Sequence, residues 1–547
     1  MRETDPRLAY LLIVLAIFAV YMPLMGGGFV WDDHLLIVDN PIIRSLENIP
    51  QMFATDLWGT TNVAKPDGGY YRPLMLVDLA LSYALVELNH GLYHLHNFLW
   101  HGVAVVLMTF TLERLIHDRL AAALGAGFFA LHPVQIEVVG FISARNDPMA
   151  VVWLLLVLLL LSAKHPSRLA LLGGMLASAA AILSKESVAF APLMLAFAAR
   201  ARWGGWGRPA AHIALLLGFG LAIIMRMSAG VGLPAQAEPE RLAAVGLPSL
   251  AFYLEKLIWP VDISPVVHFG WLPEVPWAMA GVAVGVLALL AWVGGPFARV
   301  GLLFAFLGLI PAWAAVAHVG AVVDRYLYLP MVGLAWAVAA AAQRPMARKF
   351  IVLGLVGLTY LAARQVPVWK NDATLWRAAI ERTPSGYAKG ALARWLEDQG
   401  QLKDAAFWYR EAVVQGPIPF QESCFNVSRI HLRLNDPARA IEVGEEALDL
   451  GCDPSPELVA PLALAHALTG SWESAKRHSS SVGRDPTGKA VVANLAARAA
   501  TGDVDPLRIA VGAAAETDGA NLRSQVMQVL EFGGADVQAI AQELDTF

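Results

Sequence analysis

Long apolar runs separated by short polar turns fill the chain up to about residue 365, and beyond it the pattern changes to paired amphipathic helices. A membrane-crossing helix needs roughly 20 mostly apolar residues. Segments of that kind lie near 8–26, 92–112, 120–132, 149–163, 169–183, 188–200, 209–228, 277–294, 299–317, 325–342 and 350–364. They predict about eleven spans, several of them shorter than ideal. The first lacks a small-residue cleavage site and reads as a retained anchor. Residues 27–91 are expected to form one outer loop and 229–276 one outer segment, with 249–260 a helix lying on or dipping into the membrane surface.

From residue 371 a repeat takes over. Gly400-Gln401-Leu402-Lys403-Asp404-Ala405-Ala406 aligns with Asn435-Asp436-Pro437-Ala438-Arg439-Ala440-Ile441 and with Gly470-Ser471-Trp472-Glu473-Ser474-Ala475-Lys476, a period of 35 residues. Pro384, Pro417 and Pro454 close units at similar steps. This is a tetratricopeptide-like (TPR-like) period, in which a small Ala lets two helices approach and each unit buries its apolar face on its neighbour. Residues 502–547 read as a degenerate fourth unit or cap. The fold class expected is all-α: a polytopic membrane helical bundle over 1–365, then a soluble TPR-like α-solenoid over 371–547.

Composition sharpens this picture. Charged residues make up 16% of the chain, against about a quarter in soluble domains. The net charge of −5 argues against a nucleic-acid partner. Cys424 and Cys452 form neither a disulfide framework nor a metal motif, and whether they pair stays open. Arg2, Arg7, Arg114, Arg119, Lys164, Arg168, Arg200, Arg202, Arg208, Arg299, Arg344, Arg348 and Lys349 all fall on one side if the spans alternate. That side is the cytoplasm by the positive-inside rule. The N-terminus is then cytoplasmic and the repeat domain outside.

The remaining polar residues cluster at the outer ends of the spans. Asp32 and Asp33, in Trp31-Asp32-Asp33-His34, are adjacent carboxylates at a membrane surface, costly unless solvated or paired. They are either solvated loop acids or a general base and acceptor ligand. Tyr71 and Arg72 join an aromatic of the kind that anchors at interfaces to a cation suited to phosphate. His94, Asn97 and His101 share one helix face, but His94 and His101 are about 10 Å apart along the axis; a packed polar stripe fits them better than a shared metal. Pro133 should break its helix, so that Glu137 and Asp147 face the same surface as Asp32 and Asp33. Arg145 either pairs with Asp147 or serves the site. Lys185 and Glu186 are either only a polar turn or one in which Lys185 neutralises a lipid phosphate. Arg325, in Asp324-Arg325-Tyr326-Leu327-Tyr328-Leu329-Pro330, is a second outer cation, shortly after His318.

Taken in order, Trp31-Asp32-Asp33, Tyr71-Arg72-Pro73, His94-x-x-Asn97-x-x-x-His101, His132-Pro133-x-x-x-Glu137, Ser184-Lys185-Glu186 and Arg325-Tyr326-Leu327-Tyr328-Leu329-Pro330 resemble the transmembrane and tetratricopeptide-repeat (TMTC-like) O-mannosyltransferases. So do Phe252-Tyr253-Leu254, Trp259-Pro260, Ile263-Ser264-Pro265, Val368-Trp369-Lys370-Asn371 and Leu375-Trp376. The resemblance covers about 25–480. It departs at Ala144-Arg145-Asn146-Asp147, where the family often has Gly-Arg-Ala-Asp, and at Asp324, where it usually has Glu.

The resemblance implies a C-type glycosyltransferase (GT-C) fold and an inverting enzyme. Such an enzyme moves a sugar, mannose in that family, from a polyprenyl-phosphate carrier to Ser or Thr of proteins on the non-cytoplasmic face. It implies Asp33, in preference to Asp32, as base or acceptor ligand and Glu137 as a second acid near the acceptor. It implies Arg325 and Lys185, joined by Arg72, on the donor phosphate. Glu186, Tyr71, His94, Asn97, Arg145 and Asp147 are supporting residues. No ligand spacing demands a metal, although the acids can bind a divalent cation. The partners implied are the lipid carrier and an acceptor protein or peptide held by the repeats. The membrane expected is a bacterial inner membrane, with the repeats periplasmic, the equivalent of the ER lumen. Two competing readings are transfer to a lipid or cell-surface glycan and a non-enzymatic scaffold that recruits partners through its repeats.

Overall fold

In a computed structural model of the chain, the structure describes residues 6–61, 69–203, 208–232, 239–261, 263–268, 275–415, 420–482, 488–507, 510 and 516–545. Arg2, Pro417 and parts of 229–276 lie outside the described residues, as do the side chains of Arg202 and His318. The protein is all-α: among the described residues the strands are one two-residue antiparallel pair, Val267–His268 with Ala321–Val322. Internal packing divides it into two compact units, Met1–Ala378 and Ala379–Phe547.

Helices suit the first unit because a helix satisfies its backbone polar groups internally where no water can. Among the described residues seven helices are long and apolar enough to cross a membrane: Arg7–Gly26, His90–Ile116, Ile142–Leu161, Pro209–Ser228, Gly295–Ala317, Asp324–Ala342 and Pro345–Trp369. An eighth forms if Arg119–Leu131 and Pro133–Gly140, bent by 54°, count as one span. Pro133 breaks that helix, as its sequence predicts. These helices account for eight of the eleven expected spans among the described residues. The predicted spans near 169–183, 188–200 and 277–294 are the helices Arg168–Ser184, Ala191–Trp203 and Trp277–Val293, of 17, 13 and 17 residues. At about 1.5 Å per residue they reach roughly 20–26 Å, short of the ~30 Å hydrocarbon core. Residues 249–258 belong to a longer helix, Pro239–Ile258, which ends before Trp259-Pro260.

The centre of this unit is the helix Tyr328–Ala342, every residue of which is buried. Close approach to its neighbour Gly295–Val319 is made by glycines. A Cβ on Gly301 would meet the Gly333 carbonyl at 2.6 Å, and one on Gly333 would meet that of Gly301. Small residues at a crossing are how helices pack where lipid removes the hydrophobic drive between them.

In the second unit the 35-residue register is visible in the backbone. Gly400, Asn435 and Gly470 have φ of +74°, +58° and +75°, the left-handed turn that ends one helix and starts the next. Five residues on, Ala405, Ala440 and Ala475 are fully buried. The helices they join are Gly386–Asp398 with Leu402–Val414, Gln421–Arg433 with Pro437–Asp449, and Pro456–Leu468 with Trp472–Ser481. Gly502 and Gly534, at φ +91° and +74°, repeat the turn in the less regular tail. Cys424 and Cys452 form a disulfide across 28 residues, which the sequence left open.

Candidate functional site

The polar residues at the helix ends of the first unit converge. After the first apolar helix the chain turns sharply at Trp31, whose φ of +53° is strained for a bulky residue, by about 1–3 kcal/mol. Contacts on several sides hold it there. The Trp31 amide donates to Asp372 Oδ1 at 2.9 Å, its ring stacks on Phe141 at 5.5 Å, and the Arg325 guanidinium sits 5.0 Å above it.

The two adjacent acids then diverge. Asp33 is fully buried. It accepts from the Ser143 amide and hydroxyl at 2.7 and 2.6 Å and from the Val30 amide at 3.1 Å. Burial pushes its carboxyl up to about 7, against those hydrogen bonds. Asp33 is thus enclosed, whereas Asp32 is half-buried and within the electrostatic reach of Arg325. His34 bonds Asp372 Oδ2 at 2.7 Å, and that bond raises its imidazolium above the ordinary value.

Arg325 is held by Glu137, whose Oε1 accepts from the guanidinium at 2.6 Å and whose Oε2 accepts from the Arg325 amide at 2.9 Å. Both Glu137 oxygens are thus engaged by Arg325, and the side chain is 1% exposed. Asp324 is paired with Lys256.

Beside this cluster lies a second. Lys185 Nζ is 2.5 Å from Asp147, and burial lowers its ammonium. Arg72 forks onto Glu186 at 3.1 and 2.6 Å. Burial alone would raise the Glu186 carboxyl; Arg72 overrides it and brings it to about 2. Tyr326 joins the clusters: Arg325 and Lys185 each lie 5.6 Å from its ring, and Arg72 and Asp147 are within electrostatic reach. Two cations therefore lie over one tyrosine ring, and a third is within electrostatic reach of it.

Other expected residues serve as support. Arg145, fully buried, donates to Asn97 at 2.5 Å, Asp78 at 2.8 Å and Ser82 at 2.7 Å. Its carboxylate partner is Asp78, not Asp147. Asn97 also donates to the Phe141 and Ile142 carbonyls at 3.2 and 3.3 Å. His94 bonds the Gly28 carbonyl at 3.2 Å and His101 the Tyr328 hydroxyl at 2.9 Å; the stripe is packed between helices, as read. Tyr71 is buried, its hydroxyl on the Phe53 carbonyl at 2.8 Å, so it braces the loop. The sequence reading missed Asp372, Asp78 and Tyr326. A signal existed for two: Asp372 follows the Val368–Asn371 motif, and Tyr326 stands inside the Arg325 block.

The chain is 33% identical to Protein O-mannosyl-transferase TMTC3 of Mus musculus over 144 residues, 26% of this chain and 16% of the relative. It is 33% identical to a Protein O-mannosyl-transferase of Caenorhabditis elegans over 162 residues, 29% of this chain and 23% of the relative. It is 29% identical to Protein O-mannosyl-transferase Tmtc1 of Drosophila melanogaster over 130 residues, 24% of this chain and 15% of the relative. The matches thus span less than a quarter of each relative's length. No protein-family model and no solved structure matches the chain. Over about a quarter of its length the chain is TMTC-like.

Proposed function

We propose that this protein is a membrane glycosyltransferase of protein O-mannosylation, taking mannose from a polyprenyl-phosphate carrier and placing it on Ser or Thr hydroxyls at the non-cytoplasmic face. The observation that carries the reading is the gathering of Arg325, Lys185 and Arg72 around Tyr326, next to the loop of Asp32. The names of the relatives support the reaction class.

In this reaction the Asp32 carboxylate takes the acceptor hydroxyl proton. The freed oxygen attacks the anomeric carbon from the face opposite the phosphate. The carbon–oxygen bond to the phosphate breaks, its electron pair leaves with the polyprenyl phosphate, and the configuration inverts. General-base help of this kind contributes about 10²–10⁴-fold. Cations fixed where charge develops stabilise departure without reorganising. The disulfide Cys424–Cys452 supports a repeat unit in an oxidising compartment, in keeping with a periplasmic or lumenal acceptor domain.

The test is transfer by the purified full chain from polyprenyl-phosphate-mannose to a Ser/Thr-rich peptide. Asp32→Asn should lower the rate at least about 100-fold with the fold intact. Undiminished transfer by that variant would remove Asp32 from the reaction. No transfer by the wild type, to peptide or to glycan, would leave the scaffold reading.

A further inference from the structure

Three metal-type ligands that the sequence reading passed over meet in the second unit. Glu445 is on the helix Pro437–Asp449, His466 on Pro456–Leu468 and His478 on Trp472–Ser481. Each offers one ligand atom, and the three atoms lie within 4.8 Å of one another. Both imidazole Nε2 atoms are 3.1 Å from the same oxygen, Glu445 Oε1. The two rings are nearly parallel, 7° apart, with centroids at 5.3 Å.

Hydrogen bonding accounts for either distance alone. One carboxylate oxygen can accept both bonds, and the same convergence of two imidazole nitrogens on that oxygen also brings three ligand atoms together. Three ligand atoms around one point is what a coordination sphere requires. With bonds of about 2.0–2.1 Å, the edge of a zinc tetrahedron is about 3.3 Å, close to the 3.1 Å seen on both sides of Oε1. The surroundings suit a closed-backed, open-fronted site: the side chains of His466 and His478 are 9% and 15% exposed, and that of Glu445 is 43% exposed.

We propose that Glu445, His466 and His478 bind one divalent transition-metal ion of the zinc type, with water in the fourth position. Two imidazoles and a carboxylate are a zinc donor set. Calcium and magnesium prefer oxygen ligands. Since the ligands come from three successive helices, the ion clamps the second half of one helix pair to both helices of the next. It thereby fixes the curvature of the array at that step.

The test uses the full chain in detergent, carrying no polyhistidine tag and stripped with a chelator. Zn²⁺ is titrated against a chromophoric competitor, and Co²⁺ is added separately as a spectroscopic probe. One saturable Zn²⁺ per chain is expected, with visible Co²⁺ bands of a four-coordinate site. His478→Ala and Glu445→Gln, with helicity checked by circular dichroism, should each weaken Zn²⁺ binding by more than about 100-fold, since even outer-sphere losses cost 10–100-fold. Zn²⁺ should raise the melting temperature of the wild type and not that of His478→Ala. Absence of saturable Zn²⁺ binding, or equal affinity in wild type and both variants, would overturn the proposal.

Discussion

Replacing Arg325 by Met separates a residue that acts on substrate from one that merely balances a buried acid. The guanidinium bonds Glu137 Oε1 at 2.6 Å and lies over Trp31 and Phe141 at 5.0 and 5.5 Å. Methionine keeps most of the stem and its contacts with those rings, and removes the charge. Glu137, 1% exposed, is then left with only the Arg325 amide among these partners. Orphaning one member of a buried pair costs about 3–5 kcal/mol, a large part of a total stability of about 5–15 kcal/mol. Removing one preorganised charge-stabilising group also costs about 2.7–4 kcal/mol in the transition state, or about 10²–10³-fold in rate. The single variant therefore loses both stability and transfer, and cannot tell the two roles apart. The double variant Arg325→Met/Glu137→Gln can. Removing both charges together is close to neutral for the fold, so its melting temperature should return most of the way to wild type. Its transfer of mannose from polyprenyl-phosphate-mannose to peptide should stay down by about 10²-fold or more. If transfer recovers with the fold to within about tenfold of wild type, Arg325 is a structural partner of Glu137 and the phosphate role is refuted.

Three other outcomes follow from the geometry. Asp372 holds the His34 imidazolium above its ordinary 6.5; the folded value exceeds the unfolded one, so the pair's stabilisation is complete below about pH 6.5 and lost as pH rises through the folded value. Melting temperatures across that range should show the loss in the wild type and not in Asp372→Asn. In the second unit burial would raise the Glu397 carboxyl, but Arg429, Tyr409 and Arg433 together hold it below its ordinary range. Its contribution is therefore present above an unfolded value near 4.3 and lost as pH falls through the folded one; Glu397→Gln should lower stability by about 2 kcal/mol in chemical denaturation at neutral pH and flatten that acid limb. Cys424→Ser should cost about 2–4 kcal/mol, and thiol labelling of the unfolded wild type should find no free cysteine until a reductant is added.

What could be read from the sequence was local. The turn residues Gly400, Asn435 and Gly470 repeat at 35 because a left-handed backbone admits few side chains, and that requirement stands at a fixed place in each unit. Pro133 announced its bend for a reason equally local. Helix ends were less legible than helices, because hydropathy measures how apolar a stretch is and not where its helix stops. The segment near 188–200 is apolar, yet a 3₁₀ turn, Glu186–Phe190, takes up its start and leaves a 13-residue helix. Partners distant in sequence were invisible. His34 meets Asp372 across 338 positions, and Arg145 prefers Asp78, 67 residues away, to the adjacent Asp147 that spacing suggested. No periodicity reports such pairs, because nothing in either segment depends on the other until the helices assemble.

The pairing itself bears on how a site of this kind could work. Every cation around Tyr326 has a carboxylate: Glu137 for Arg325, Asp147 for Lys185 and Glu186 for Arg72. A charge next to apolar helices is tolerable only when paired, so the carboxylates are what allow the cations to be there before a substrate arrives. They also sort the cations. Lys185 and Asp147 are both nearly enclosed, with side chains 7% and 4% exposed, so a phosphate reaches Lys185 only by displacing its partner. Arg325 and Arg72 keep 16% and 13% of their side chains open. A guanidinium has five donors; Glu186 occupies two of those of Arg72 and Glu137 one of those of Arg325. On the proposed reading, then, Arg325 and Arg72 can receive phosphate oxygens on their remaining N–H groups without breaking their pairs. Lys185 contributes its field across the Tyr326 ring and holds Asp147 in place.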